Sequence, residues 1–456
     1  MERERLHQQM TQGRIAPLIL RLSIPNALAL ISVMVYSIVD SYFVSSLGTE
    51  ASAAVGVSFA LHILIQAVGY TFGMGGGSLL SRLLGKKEAE NATAIAITAT
   101  ILSVLCGIII AAGGLFFREP LARLLGANVG TLTYAVEYLT PLLFSAPIVC
   151  AVFVLSQLLR AEGLATYSMI GLVVGSICNI ALNPLLIFQF GMGIAGSSIA
   201  TGISQTISLI ILLSAYFFKK SRLPKIRYSI RQLASGGRIF IAGLPSLFRQ
   251  GLSGVAAIFL NRAAAIEGDS AVAAISLVAR VFLLVFSVCL GIGQGMMPVV
   301  GYNHGANYPQ RMKKAFLFAV FISSVAMLTI SIPLFAWAPK IFSRLQDSAE
   351  VTEIGTSALR AQSLVLATHG LVSCTILYLQ AIGKNILGTI LASARQGFFF
   401  LPLILILPQK FGLWGLEWAQ PFADIITFIF ALPFFLFVMK KLQKAIKHPV
   451  DISLPH

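Results

Sequence analysis

Apolar residues in this chain fall in long blocks, neither alternating as in a half-buried strand nor confined to one helical face. Blocks of roughly 20 residues or more recur along the whole length, separated by short segments rich in Lys, Arg, Gly and Pro, and about 20 apolar residues span a hydrocarbon core as a helix. A backbone in lipid finds no water to bond, so such blocks are read as helices whose peptide groups satisfy one another. A transmembrane barrel needs short strands alternating apolar and polar, and that pattern is absent. The breaks delimit twelve spans, at about 16–46, 52–81, 92–116, 132–158, 166–189 and 194–217, then 236–265, 271–300, 314–338, 355–381, 386–408 and 413–439. The fold class expected is an all-α integral membrane protein with twelve transmembrane helices.

The basic residues between blocks set an orientation, because Lys and Arg accumulate in cytoplasmic loops. One side holds Arg3, Arg5, Arg14 and Arg21, the Arg82, Lys86 and Lys87 loop, Arg160, the stretch from Lys219 to Arg238, the Arg311, Lys313 and Lys314 turn, Lys384, and the tail from Lys440 to Lys447. The other side holds Arg118, Arg123, Lys340, Arg344 and Lys410. Both termini are therefore expected in the cytoplasm, which requires an even number of spans.

The segment Lys219 to Lys225 is a basic linker near the midpoint and invites a test for duplication. A shift of 220 residues places Pro25 on Pro245, Gly48 on Gly268, Ala51 on Ala271, Gly73 on Gly293, Gly75 on Gly295, Gly85 on Gly305 and Gly163 on Gly383. Glycines and prolines constrain the backbone, so their coincidence at one offset points to two homologous six-helix halves, 1–220 and 221–456. An even number of spans per half makes the repeats parallel, related by a pseudo-two-fold axis along the membrane normal. Paired repeats suit alternating access, and one chain then supplies both halves of a central site, so a monomer suffices.

Composition excludes several classes. The chain has 456 residues, 57% hydrophobic and 11% charged, against about 25% charged in soluble domains. Its net charge of +16 sits in short loops rather than on one surface with interleaved aromatics, so no nucleic-acid partner is expected. Cys106, Cys150, Cys178, Cys289 and Cys374 lie inside apolar blocks without metal-site spacing and read as small buried hydrophobes. The polar start, Met1 to Ile15, is not followed by a cleavable signal, so the first block is a retained span. Gly73-Met74-Gly75-Gly76-Gly77-Ser78 lacks the Gly-Lys-Ser/Thr ending of a phosphate loop. Small residues there more simply let helices approach. No cofactor is expected.

Several segments together resemble the multidrug and toxic compound extrusion (MATE) family, bacterial type, over essentially the full length. They are Val39-Asp40-Ser41-Tyr42-Phe43, Leu159-Arg160-Ala161-Glu162-Gly163, Asn179-Ile180-Ala181-Leu182-Asn183-Pro184, the run from Gly193 to Thr201, and Gly301-Tyr302-Asn303-His304-Gly305-Ala306. The resemblance implies a proton- or sodium-coupled exporter of small, mostly cationic amphipathic compounds in the bacterial plasma membrane, with membrane lipids around it. A flippase for a lipid-linked substrate is the alternative within the superfamily, though twelve spans and Asp40 argue against it. A channel or an enzyme has no need of paired repeats, and no intramembrane catalytic motif is visible.

Asp40 is the most informative residue. A carboxylate deep in an apolar span is costly unless it faces a polar interior and has a task. Dry surroundings favour its protonated form and a bound cation its charged form. The aligned residue in the second half is Leu260, so duplication does not account for the charge. The resemblance assigns ion coupling to Asp40. Asn179 and Asn183, at i, i+4, share a helix face. Ser197 and Thr201 have the same spacing on the next helix and complete the ion-coupling set. Amide and hydroxyl oxygens beside a carboxylate suit either a sodium ion at Asp40, Asn179, Asn183 and Thr201 or a proton relay; for the two hydroxyls, interhelical bonding is an equal reading. Some family members carry an aspartate where Asn183 stands, and its absence argues against strong sodium binding.

Candidates for lining the substrate cavity are Tyr36, Gln250, Arg280, Gln294 and Arg395. For Arg280, Arg395 and Asp424 the leading reading is structural, since arginine suits buried bidentate pairs. His369 and Glu137 are weaker candidates for the cavity, and Tyr134 and Tyr138 beside Glu137 also fit a near-interface location.

Overall fold

The computed structural model describes residues 2–218, 221, 223–224, 229–345 and 348–447. Most of the basic linker from Lys219 to Lys225, and the last nine residues, lie outside them. The helices run α1 (Glu2–Gln12), α2 (Ile15–Ser45), α3 (Thr49–Gly85), α4 (Ala89–Phe116), α5 (Arg118–Leu124), α6 (Leu132–Ala161), α7 (Ala165–Pro184) and α8 (Gly193–Phe217). The second half continues with α9 (Gly236–Glu267), α10 (Asp269–Gly305), α11 (Pro309–Leu345), α12 (Ala349–Val365), α13 (Thr368–Ala381), α14 (Asn385–Ser393) and α15 (Leu401–Lys447). Wide π-helical turns, Leu185–Gln189 and Ala394–Phe400, follow α7 and α14.

Nine helical runs among the described residues are long and apolar enough to cross a membrane, and ten if α12 and α13 count as one bent span. The run Asn385–Lys447 counts once there with 63 residues, yet a straight helix of that length would reach about 95 Å, some three times the hydrocarbon thickness. Gly412, at φ +56°, breaks it, and a Cβ on Gly415 would overlap the Leu407 carbonyl, so the chain turns sharply there. The 32-residue α9 is long enough to span but carries Arg238, Arg249, Arg262 and Glu267. Counting both parts of the broken run and α9 gives the twelve spans read from the blocks.

Two features escaped the hydropathy pattern. The tenth span bends by 57° between α12 and α13 although it holds no proline. Ser331 Oγ on α11 donates to the Ser363 carbonyl at 2.6 Å, and a Cβ on Gly370 would lie 2.5 Å from the Ser324 backbone nitrogen. A neighbouring hydroxyl and a close backbone approach thus replace regular helix bonding there. The polar segments expected as tail and loop also form short helices, α1 and α5.

Contacts divide the chain into two compact units, 1–6 with 28–247 and 7–27 with 248–456. In the first, α6 is the axis: 83% of its most apolar window is buried. It packs on α3 through an i, i+4 glycine stripe. A Cβ on Gly69 would sit 2.7 Å from Phe153 Cβ, on Gly73 2.9 Å from Gln157 Cβ, and on Gly77 3.2 Å from Ala161 Cβ. Phe72, Leu80, Ala96, Ala99, Leu158, Leu172 and Leu212 close the core around α6. In the second unit Ala271, Ala274 and Ile275 of α10 pack with Phe342, Ile354, Leu359, Leu416 and Ala419. There Asn303 Nδ2 donates to the Met10 carbonyl at 2.9 Å, and Arg311 Nη2 to the Gly13 carbonyl at 2.6 Å.

The repeat is visible in the backbone. Gly48 and Gly268 have φ +120° and +113°, Lys87 and Asn307 +64° and +58°, Gly163 and Gly383 +86° and +81°. Each pair is related by the same shift of 220, including one pair without glycine.

The glycine stripe predicts that Gly73→Val, which forces α3 off α6, costs about 1–3 kcal/mol. The thermal midpoint of the detergent-solubilised chain should fall, whereas Gly113→Ala, whose Cβ would meet no atom within 4 Å, should not lower it.

Candidate functional site: a buried carboxylate relay

The first unit gathers Asp40 from α2, Asn179 and Asn183 from α7, and Ser197 and Thr201 from α8. Asp40 is 8% exposed. Asn183 Nδ2 donates to Asp40 Oδ1 at 2.9 Å and Ser197 Oγ donates to the same oxygen at 2.5 Å. The Asn183 amide also donates to Asn179 Oδ1 at 3.1 Å, and Asn179 Nδ2 to Thr201 Oγ1 at 3.1 Å. Asp40 and the two i, i+4 pairs therefore form one continuous chain of hydrogen bonds.

Local structure explains how they meet. The i, i+4 spacing stacks the two asparagines on one face of α7, and Pro184, lacking an N–H, precedes the wide turn 185–189. Turns of this kind cluster at functional sites. Gly196 lets α8 approach that turn: a Cβ there would lie 2.9 Å from the Leu186 carbonyl carbon.

Three further residues complete the surroundings. Tyr36, one turn before Asp40, is buried with it, and Gln205 of α8 is buried as well. Tyr138 of α6 is buried too. Tyr36 was expected to line the cavity; Tyr138 fitted a near-interface position in the sequence, but it is buried. Gln205 continues the i, i+4 series 197, 201, 205, which is the signal that could have found it. Glu137 is exposed.

Asp40 is charge-isolated. Among the described residues no cation pairs with it, and the ion pairs involve Asp424 alone. Asn183 Oδ1 is buried without a hydrogen-bond partner. For a sodium ion, the amide oxygens would have to face the carboxylate, whereas Asn183 presents its NH₂. Donors, not acceptors, meet Asp40 in this arrangement.

The other candidates lie in the second unit. Arg395, on the wide turn after α14, places Nε 2.7 Å from Asp424 Oδ1. Its guanidinium lies 4.8 Å from the Phe282 ring centroid and 5.3 Å from that of Phe286. Gln420 donates to the same carboxylate oxygen at 2.9 Å and Gln362 to the other at 2.8 Å. His369 Nε2 approaches at 3.3 Å, off a hydrogen-bonding line. Asp424, with a side chain 0% exposed, is thus held by a fixed cation and two amides. Gln294 is buried on α10, Gln250 half-buried on α9, and Arg280 exposed; neither Arg280 nor Gln250 joins this cluster.

A model of the MatE family matches residues 25–185 and again 245–406. The chain belongs to the MATE family. The two matches start 220 residues apart, the shift that superposes the repeats. A similar relative is the multidrug export protein MepA of Staphylococcus saprophyticus, 27% identical over 413 residues, covering 90% of this chain and 91% of the relative. Among solved structures, an outward-facing multidrug resistance MATE family transporter of the MOP superfamily superposes with a TM-score of 0.89 at 28% identity, over 96% of this chain and 98% of the other. A MOP superfamily transporter from Pyrococcus furiosus, described as having a binding pocket of reversed polarity, gives 0.87 at 27% identity, covering 96% and 98%. The MATE fold of twelve helices in two bundles is the fold of this chain, a multi-pass membrane protein.

Two stability predictions follow from the geometry. Asn183→Ala strips one of two donors from Asp40 and should cost about 1–3 kcal/mol, with a larger fall in thermal midpoint at alkaline pH, where Asp40 is ionised, than in acid. Breaking a buried ion pair costs about 3–5 kcal/mol, whereas replacing both partners by apolar residues is near neutral. Asp424→Asn should therefore destabilise strongly, and Arg395→Met with Asp424→Leu should recover most of the loss.

Proposed function

We propose that this chain is a secondary exporter of small, mostly cationic amphipathic compounds, driven by exchange of a coupling ion at Asp40. The observation that carries the proposal is the contrast between two of its buried carboxylates, Asp40 and Asp424. Asp424 is neutralised by a fixed guanidinium, while Asp40 has no cation and is bound by groups that can rearrange. Multidrug export, named for the MepA relative, fits a charge-exchanging site in one lobe.

The coupling ion we favour is the proton. A charged Asp40 needs the donors from Asn183 and Ser197. On protonation the carboxyl becomes a donor itself, and the Ser197 hydroxyl can reverse from donor to acceptor because a hydroxyl does both. Asn183 Oδ1, buried and unpartnered, supplies a second acceptor if the amide turns. Proton arrival would thus reorganise contacts between α2, α7 and α8 without a metal, and differential binding of the ion to two conformations would bias access. In this reading the halves 1–220 and 221–456 are the functional repeats and both termini face the cytoplasm across a bacterial plasma membrane. Tyr36, Gln250, Arg280, Gln294 and Arg395 remain our candidates for substrate contact, and a monomer suffices.

The test is efflux from proteoliposomes loaded with a fluorescent lipophilic cation, under separately imposed proton and sodium gradients. Acceleration by the proton gradient, abolished in Asp40→Asn while the variant still inserts and purifies as a folded species, is expected. Equal export in Asp40→Asn overturns the role of Asp40, and acceleration by sodium alone overturns the proton. If neither gradient moves any cation, the flippase or specific-metabolite reading replaces multidrug export. The reversed-polarity pocket described for the Pyrococcus furiosus relative is the precedent for such a change of substrate.

A further inference from the structure

The connection between α4 and α6 carries charge that orientation logic does not call for. Of the five basic residues on the basic-poor side of the membrane, two, Arg118 and Arg123, lie on the seven-residue α5. Basic residues are scarce on that side by rule, so a pair on one short helix needs a local reason.

The structure supplies one. Pro120, Leu121 and Leu124 form one face of α5 and, with Phe117 just before it, line a cavity of about 390 Å³, walled also by Leu61 and Leu64 of α3 and Ile109 and Ile110 of α4. Gly113 contributes no side chain to the wall, and a Cβ there would meet nothing within 4 Å. At 100° per residue, Arg118 and Arg123 fall on opposite flanks of the apolar face and Glu119 points away from it. Both arginines are exposed, and among the described residues no carboxylate pairs with either. Long basic side chains at such flanks extend their charge to the polar boundary while their stems cover apolar surface.

We propose that this groove holds an acyl chain of an anionic phospholipid whose phosphate is bridged by Arg118 and Arg123. The wall offers hydrocarbon and no polar anchor, while the short helix that walls it carries two exposed cations. That combination repels an organic cation and matches a lipid that is apolar along its tail and negative at its head. The proposal does not depend on the transported substrate or on Asp40.

The experiment uses the full chain in detergent, delipidated and then incubated with phosphatidylglycerol bearing a photoreactive group in its acyl chain. Cross-linked residues are mapped by mass spectrometry, with the same tail on phosphatidylcholine as comparison. Cross-links concentrated at 61–64 and 109–124 are expected, stronger for phosphatidylglycerol. Gly113→Leu should abolish them by filling the groove. Arg118→Gln and Arg123→Gln should each weaken phosphatidylglycerol about fivefold and leave phosphatidylcholine unchanged, while the lysine variants retain the preference. Labelling spread evenly over the lipid-facing helices, or equal labelling by both lipids in the unsubstituted chain, overturns the proposal. Because the readout is labelling, failure here leaves the export proposal standing.

Discussion

Everything in this chain is shaped by the cost of an unsatisfied polar group in hydrocarbon. Water is absent from the bilayer core, so each backbone amide bonds within its helix and each buried side-chain dipole must find a partner in the protein. Helices answer the first demand. The second selects where polar residues are tolerated, and it gathers them into clusters. Asp40 with its asparagines and Ser197, and Asp424 with Arg395 and two glutamines, are two of the places where a carboxylate is buried.

The two clusters meet the same demand differently. Asp424 has a guanidinium fixed against it and that guanidinium rests on two aromatic rings. Such a cluster is neutral as a unit and expensive to disturb. Asp40 has only neutral donors, one of them a hydroxyl able to reverse its role. In the proposed mechanism its charge is a variable of the site, whereas that of Asp424 is a constant. Each cluster adjoins a π-helical turn, where helix bonding is already locally rearranged.

The repeats make the asymmetry informative. Backbone geometry has been kept with high fidelity, down to matching left-handed residues at Lys87 and Asn307, because turns and close helix approaches admit few solutions. Side-chain chemistry has diverged: Asp40 faces Leu260 in the alignment, and Arg395 faces Gly175. A duplicated scaffold with unlike polar centres is what specialisation of two lobes for different tasks would leave behind.

Much of this was legible in the sequence. The spans were legible because hydrophobic length is a direct record of bilayer thickness, although helices such as α11 and α15 run up to eight residues past the apolar blocks, and the repeat was visible because glycine and proline mark backbone constraints. Asn179, Asn183, Ser197 and Thr201 were legible as a set because i, i+4 spacing puts residues on one helix face whatever surrounds the helix. Tyr138 was not, since an aromatic beside Glu137 reads equally well as an interfacial anchor and only packing against α8 decides. The bend between α12 and α13 was hidden because its cause, the Ser331 hydroxyl, is 32 residues from the carbonyl it captures. The sequence by itself thus determined what is local or periodic: membrane residence, helix number, duplication and the polar faces. The tertiary structure alone decided what depends on distance between helices. It showed that Asn183 and Ser197 converge on one oxygen of Asp40, that Arg395 is committed to Asp424, and that α5 walls a cavity, because side chains distant in sequence meet only when helices pack.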